Sequence, residues 1–140
     1  MDIKYLTVDH VRDLHDDAIA TFGGASGLRS AQLLASAVLQ PQQSAFGEDA
    51  YGTIAEKAAA YAFFLTQGHA FVDGNKRTGA LALLVFLDVN GYEFRQTDDE
   101  MAQMFEDLAS GVVEQGEFFG WVCNYTRRKN VIALPPAVNK

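Results

Sequence analysis

Apolar residues recur along most of the chain at the three- and four-residue steps of an α-helix. Val8, Val11, Leu14, Ile19 and Phe22 form the first such stripe, with Thr7 placed to cap its start and Gly23-Gly24 to stop it. A shorter helix is predicted from about Arg29 to Leu39, closed by Gln40-Pro41 because the residue before a proline avoids the helical region. Gln42 to Gly52 has no helical period and reads as a loop or short hairpin, long enough to act as a flap. Thr53-Ile54-Ala55-Glu56 is a capping box opening a helix with Ala58, Tyr61, Ala62 and Leu65 inside, ending near Gly68. After a break at Ala70 to Gly74, a helix from Asn75 to Asn90 is apolar nearly all round, as expected of the central helix of a domain, and Gly91 stops it. A second capping box, Thr97 to Glu100, opens a helix with Met101, Met104, Phe105 and Leu108, and Phe118 to Tyr125 makes a last short one. No alternating strand pattern and no repeat interrupts this series. The prediction is an all-α, single-domain fold over residues 1–126, with residues 127–140 as a C-terminal tail.

A length of 140 residues suits one domain, and 49% hydrophobic residues with three prolines suit a compact globule. The longest strongly apolar stretch, Gly79 to Leu87, falls far short of the roughly 20 residues that cross a bilayer. No apolar segment follows the first residues, so no signal peptide is expected, and the single Cys123 excludes an internal disulfide framework. Together these predict a cytoplasmic protein that does not engage a membrane. Net charge is −7, and residues 1–126 hold seven cations against eighteen acids. Such a body repels phosphate backbones, which argues against direct nucleic-acid binding. Against that background, two adjacent cations at Lys76-Arg77 stand out.

They lie in the segment His69-Ala70-Phe71-Val72-Asp73-Gly74-Asn75-Lys76-Arg77-Thr78. A helix N-terminus carries partial positive charge and unpaired N–H groups, so cations are disfavoured there unless an anion joins them; phosphate is the natural candidate. Gly74 permits close backbone approach, and Asn75 is placed either to cap the helix or to hydrogen-bond a phosphate oxygen. His69 ends the preceding helix facing the same break and is the right type of group to deprotonate a hydroxyl. Asp73 offers a hard oxygen ligand suited to Mg²⁺. Each residue also has a plain structural reading. His69 can be a helix C-terminal cap, Asp73 and Gly74 turn formers, Asn75 a cap, and Lys76 and Arg77 partners of surface acids. Phe71 reads as an anchor of the loop in the core. His10 and His15, among Asp9, Asp13, Asp16 and Asp17, read as part of a solvated face. Neither a Walker A loop nor the protein-kinase signatures occur.

The pattern His69-x-Phe71-x-Asp73-Gly74-Asn75-Lys76-Arg77-Thr78 resembles the motif of the Fic/Doc superfamily, and within it the Doc ("death on curing") toxins. Leu28-Arg29-Ser30, Leu33 to Ala37, Gln40-Pro41-Gln42, Ala55 to Ala59, and Phe86-Leu87 with Asn90-Gly91 extend the likeness over about residues 28 to 95. The resemblance implies a helical bundle whose flap, around Gln42 to Gly52, aligns a target protein. It implies His69 as the catalytic base, Asp73 as the Mg²⁺ ligand, and Gly74, Asn75, Lys76 and Arg77 as the nucleotide-binding cradle for ATP. Fic enzymes that transfer AMP carry glycine where this chain has Lys76 and a second arginine where it has Ala80. Doc-type members match this chain at both positions and transfer the γ-phosphate, with a threonine of elongation factor Tu as the known target class, which blocks translation. AMP transfer, and an inactive binding module, are the alternative readings. Ser44 to Glu48 and Ser110 to Glu114 have the spacing of the Fic inhibitory helix, but Asp49 and Gln115 follow where glycine or asparagine is required. Restraint is therefore expected from a separate antitoxin docking a short segment across a helical groove.

Overall fold

A computed structural model describes residues 2–130. Among these residues six α-helices carry the fold: α1 (Val8–Phe22), α2 (Ala31–Leu39), α3 (Ile54–Gln67), α4 (Asn75–Val89), α5 (Asp98–Ala109) and α6 (Gln115–Tyr125). The domain is mostly helical, as the periodicity predicts. Thr7, Thr53 and Thr97 each accept a hydrogen bond from the backbone N–H three residues on, and the side chain of the residue at that position accepts one in turn from the cap residue's own N–H. At Thr7 that acceptor is His10, whose Nδ1 accepts from the Thr7 N–H at 3.0 Å, so His10 completes a cap rather than merely facing water.

The innermost helix is α3, and this corrects the expectation that α4 would be. Lys57 to Ala62 of α3 form an unbroken buried run, whereas α4 leaves Asp88 and Val89 exposed. The reason is side-chain size: with Ala58, Ala59, Ala60 and Ala62, α3 accepts neighbours on all sides, and α4, α2 and α6 all pack on it. At the crossing with α4 a side chain on Gly79 would overlap the Thr66 hydroxyl and come within 2.9 Å of the Ala62 carbonyl, so only glycine allows this approach. Tyr61 ties the N-terminal segment to this core. Its hydroxyl accepts from the Leu6 N–H at 2.9 Å and donates to the Leu6 carbonyl at 3.2 Å, and burial pushes its pKa up to about 12.

Two small antiparallel strand pairs add to the expected helices. Strands β1 (Ser44–Ala45) and β2 (Glu48–Asp49) make the flap a hairpin whose turn residues Phe46 and Gly47 both have positive φ. The buried ammonium of Lys57 holds its base, donating to Asp49 Oδ2 at 3.1 Å and to the Tyr51 carbonyl at 2.5 Å. Strand β3 (Tyr92–Phe94) pairs with β4 (Thr126–Arg128). The first residues of the expected 127–140 tail are thus paired with the domain. Arg127 and Arg128 are fastened to the domain through β3, and the Lys129 N–H donates to the Gly91 carbonyl. Residues 131–140 lie outside the described residues.

Candidate active site

The segment from Gly68 to Arg77 turns the chain from α3 into α4, and its local geometry follows from a few residues. Gly68 closes α3 in a helical conformation where a side chain would press on the Phe64 carbonyl at 2.6 Å. The left-handed position that follows, usually given to glycine, is occupied by His69 at φ 51°. An L-residue there costs on the order of 1–3 kcal/mol, a strain that concentrates at functional positions. The His69 side chain is exposed and has no protein hydrogen-bond partner among the described residues.

Beyond His69 the loop is pinned from three sides. Ala70 and Phe71 are buried, and the Ala70 carbonyl accepts from the Arg29 and Ser30 N–H groups. The Val72 N–H donates to the Gly27 carbonyl, so the Gly23-to-Gly27 stretch after α1 runs alongside the motif. The Asn75 amide faces inward: Oδ1 accepts from the Phe71 N–H at 3.1 Å and Nδ2 donates to the Phe71 carbonyl at 3.0 Å. The cap of α4 is instead Gly74, at φ 79°, with no side-chain capping bond. Thr78 is the first residue whose N–H enters the helix ladder, bonding to the Gly74 carbonyl. The N–H groups of Asn75, Lys76 and Arg77 therefore have no partner among the described residues, in contrast with the capped starts of α1, α2, α3 and α5. Such donors suit an anion.

The charged groups are placed as follows. Asp73 Oδ2 accepts from the Ala25 N–H at 3.1 Å and Oδ1 from the Gly74 N–H at 2.8 Å, and these two bonds hold its pKa below the ordinary carboxylate value. Its carboxylate is ionised and exposed, and two bonds leave part of its acceptor capacity free. Lys76 Nζ donates to Glu106 Oε2 of α5 at 2.5 Å, and the Arg77 guanidinium lies 3.8 Å above the Phe22 ring. The positive charge at the helix start is thus partly met by an acid and an aromatic face. Both cations border a groove of about 530 Å³ between α4 and α5, floored by Ala80, Leu81, Leu84, Met101 and Phe105.

Two contributors escape the sequence reading. His15 is buried at 2% exposure, with Nε2 2.8 Å from the Asp73 carbonyl oxygen, which corrects its assignment to a solvated face. His69 is therefore not the sole histidine at the site. The signal was present: Val11, His15 and Ala18 share one helical stripe, and both flanking residues are buried. Glu106, the partner of Lys76, has no comparable signal at a separation of thirty residues.

Residues 5–87 match the profile of the Fic/DOC family, well over half of the chain. The chain belongs to the Fic/DOC family. It is 42% identical over 91 residues to the protein named Toxin Doc of Mycolicibacterium smegmatis, covering 65% of this chain and 68% of that one. It is 28% identical over 111 residues to the protein named Protein kinase doc of Escherichia phage P1, covering 79% and 86% respectively. The whole His69-to-Arg77 bend and the start of α4 fall inside the family match. Neither stretch with the spacing of the Fic inhibitory motif lies on a helix: Ser44 and Glu48 are in the flap strands, and Ser110 and Glu114 flank the turn between α5 and α6. No helix among the described residues is long and apolar enough to cross a membrane.

Proposed function

We propose that this chain is the toxin of a toxin–antitoxin pair, a cytoplasmic enzyme that transfers the γ-phosphate of ATP to a serine or threonine hydroxyl of a target protein. The observation that carries this reading is the bend itself. A strained, unpartnered His69 opens it, and the uncapped N-terminus of α4, bearing Lys76 and Arg77, closes it. A protein serine or threonine kinase needs a base at the attacked hydroxyl and positive charge at the transferred phosphate, and little else. His69 takes the hydroxyl proton as the oxygen bonds to the γ-phosphorus. The bond from that phosphorus to its bridging oxygen breaks, and ADP leaves. The N–H groups of Asn75, Lys76 and Arg77, with Gly74 allowing close approach, hold the phosphates. The two cations neutralise charge developing on them.

The donor set fits magnesium that arrives with the nucleotide. Among the described residues no three His, Cys, Asp or Glu side chains gather as a metal site. One ionised, exposed carboxylate with free acceptor capacity is what Mg²⁺ takes from a protein when phosphate oxygens and water complete its shell. Asp73 would hold it, and the ion would screen charge between phosphates.

The names of the relatives support both halves of the reading, one being called a toxin and the other a protein kinase. Lys76 and Ala80 favour phosphate over AMP transfer, since Ala80 at the groove floor offers no second cationic clamp. The target put forward is a threonine of elongation factor Tu, presented along the flap hairpin. The α4–α5 groove, apolar below with Asp98, Asp99 and Glu106 on one rim, is offered as the seat of an antitoxin segment. Incubation with purified elongation factor Tu and ATP labelled at either the γ or the α position tests the chemistry. Label from γ alone, lost with His69→Ala, is expected; retained α label sinks the kinase reading in favour of AMP transfer. Growth inhibition that survives His69→Ala would instead make the chain a binding module.

A further inference from the structure

We infer that His15, on α1, is a positioning residue for Asp73, acting through the Asp73–Gly74 peptide group against which it is packed; its catalytic consequence rests on the function proposed above.

The imidazole is buried and Nε2 lies 2.8 Å from the Asp73 carbonyl oxygen. A carbonyl only accepts, so Nε2 carries the proton and donates. The ring lies nearly parallel to Phe71, with centroids 3.8 Å apart and planes at 6°. One side chain of α1 therefore grips the motif loop at two residues, by stacking on Phe71 and by a hydrogen bond at Asp73. The peptide group whose oxygen His15 holds is the same one whose N–H, that of Gly74, donates to Asp73 Oδ1 at 2.8 Å. Rotation of that peptide plane would withdraw the donor from the carboxylate, so fixing the carbonyl also fixes the carboxylate. The second carboxylate oxygen is held by the Ala25 N–H, just beyond the end of α1. The fit at this point is close. A side chain on Gly74 would touch the His15 ring at 3.5 Å, crowd Ile19 Cδ1 at 3.2 Å and be strained at φ 79°, so glycine suits this position.

A histidine serving only as core filler predicts a different response to substitution. His15→Phe keeps an aromatic ring to stack on Phe71 but has no donor. His15→Gln has no ring but places an amide donor where Nε2 was. The experiment measures, for parent and both variants, hydrogen exchange of the Gly74 and Ala25 amides by NMR in nucleotide-free protein. Alongside it, kcat for γ-phosphate transfer is measured at saturating ATP and Mg²⁺. The expected result is at least tenfold faster exchange of both amides in His15→Phe and a 10- to 100-fold lower kcat, the usual effect of losing a partner behind a metal-binding carboxylate. His15→Gln is expected to recover most of both. If His15→Phe leaves exchange or kcat at the parent level, or His15→Gln is as impaired as His15→Phe in both, the inference fails. Should His15→Phe not fold, His15→Gln decides alone: near-parent exchange with near-parent kcat supports the inference, and impairment of either overturns it. A parent that transfers no phosphate defeats the proposed function, and the exchange measurement by itself then decides whether His15 positions the loop.

Discussion

Gly23 and Gly24 are neighbours, both with positive φ, yet a methyl group should have different consequences at each. At Gly23, φ 82°, a Cβ would meet nothing within 4 Å. At Gly24, φ 115°, it would stand 2.7 Å from Asp73 Oδ2, 3.3 Å from Asp73 Cγ and 3.2 Å from Ile19 Cδ1. Each alanine brings backbone strain of about 1–3 kcal/mol, which for a domain of this size lowers Tm by roughly 3–10 °C. Only Gly24→Ala also moves the carboxylate. A comfortable carbon–oxygen contact near 3.5 Å requires Asp73 to retreat by about 0.8 Å, and the bond from the Ala25 N–H, now 3.1 Å, lies at the same oxygen. Displacement of a catalytic group by about 1 Å costs roughly 10²-fold in rate. Thermal melts of both variants, with initial rates of the proposed γ-phosphate transfer measured well below either Tm, separate the two effects. A melting loss in both, larger in Gly24→Ala because of its contacts with Asp73 and Ile19, and a roughly hundredfold rate loss confined to Gly24→Ala are expected. Equal rates in the two variants would refute the claim that the loop after α1 places the Asp73 carboxylate.

Other perturbations test separate parts of the structure. Glu106→Gln removes the acid that holds Lys76; an exposed pair of this kind is worth about 0–1 kcal/mol, so the KM for ATP should fall by up to about fivefold with kcat unchanged, and a rise in KM would show that Glu106 assists binding. Tyr61→Phe strips the buried Leu6 N–H of its acceptor and should destabilise by about 1–3 kcal/mol in denaturant titrations. Because the phenol titrates at about 12 in the folded protein and near 10 when unfolded, its contribution is complete below pH 10 and declines as pH rises towards 12, so the gap between parent and variant should narrow over that interval. The Asp73 carboxyl is held below its ordinary value chiefly by the Ala25 and Gly74 N–H groups, so its contribution is present above pH 4 and lost as pH falls through the lower folded value. Asp73→Asn should accordingly be less stable than the parent at pH 7 and converge with it in acid melts; a gap that widens on acidification contradicts the assignment.

What could be read from the sequence was what local chemistry determines. Thr7, Thr53 and Thr97 mark helix starts because their hydroxyls bond N–H groups three residues away, a relation visible in any short window. The histidine-to-arginine motif was equally visible, since its members are adjacent. What escaped depends on chain neighbours far apart in sequence. Strands β3 and β4 are three residues each, too short to show alternation, and Tyr92 meets Arg128 only after two intervening helices. The burial of α3 rather than α4 follows from alanines, which a hydrophobicity pattern ranks below the leucines of α4. His15 reads as solvated because its near neighbours Asp13, Asp16 and Asp17 are acidic, whereas the stripe it shares with Val11 and Ala18 is buried. Asn75 was legible as a residue that bonds backbone, but not as one that bonds backwards to Phe71.

On the proposed function, these contacts sort the site into parts that a nucleotide must displace and parts that it need not. Asn75 and the loop from Ala70 to Val72 are bonded to main-chain groups that a phosphate has no reason to contest, and Asp73 meets backbone N–H groups while retaining free acceptor capacity. Lys76 differs, because its ammonium is spent on Glu106, a carboxylate for which phosphate is a direct substitute. Exchanging one exposed anion partner for another costs at most about 1 kcal/mol. Arg77 can keep its stack on Phe22 and still turn N–H groups outward, since a ring face occupies the plane of a guanidinium and leaves its edge free. In a body carrying eighteen acids against eleven cations, an unpaired lysine at this point would draw any nearby carboxylate, including those on other molecules. On the proposed function, a weak internal partner keeps the cation at the helix start while leaving it available to a triphosphate, whose several charges would outcompete the single one of Glu106. The backbone cradle then supplies geometry and the lysine supplies charge, so the two can be altered independently: substitutions at Asn75 or Gly24 should act on rate, and substitutions at Glu106 on nucleotide affinity.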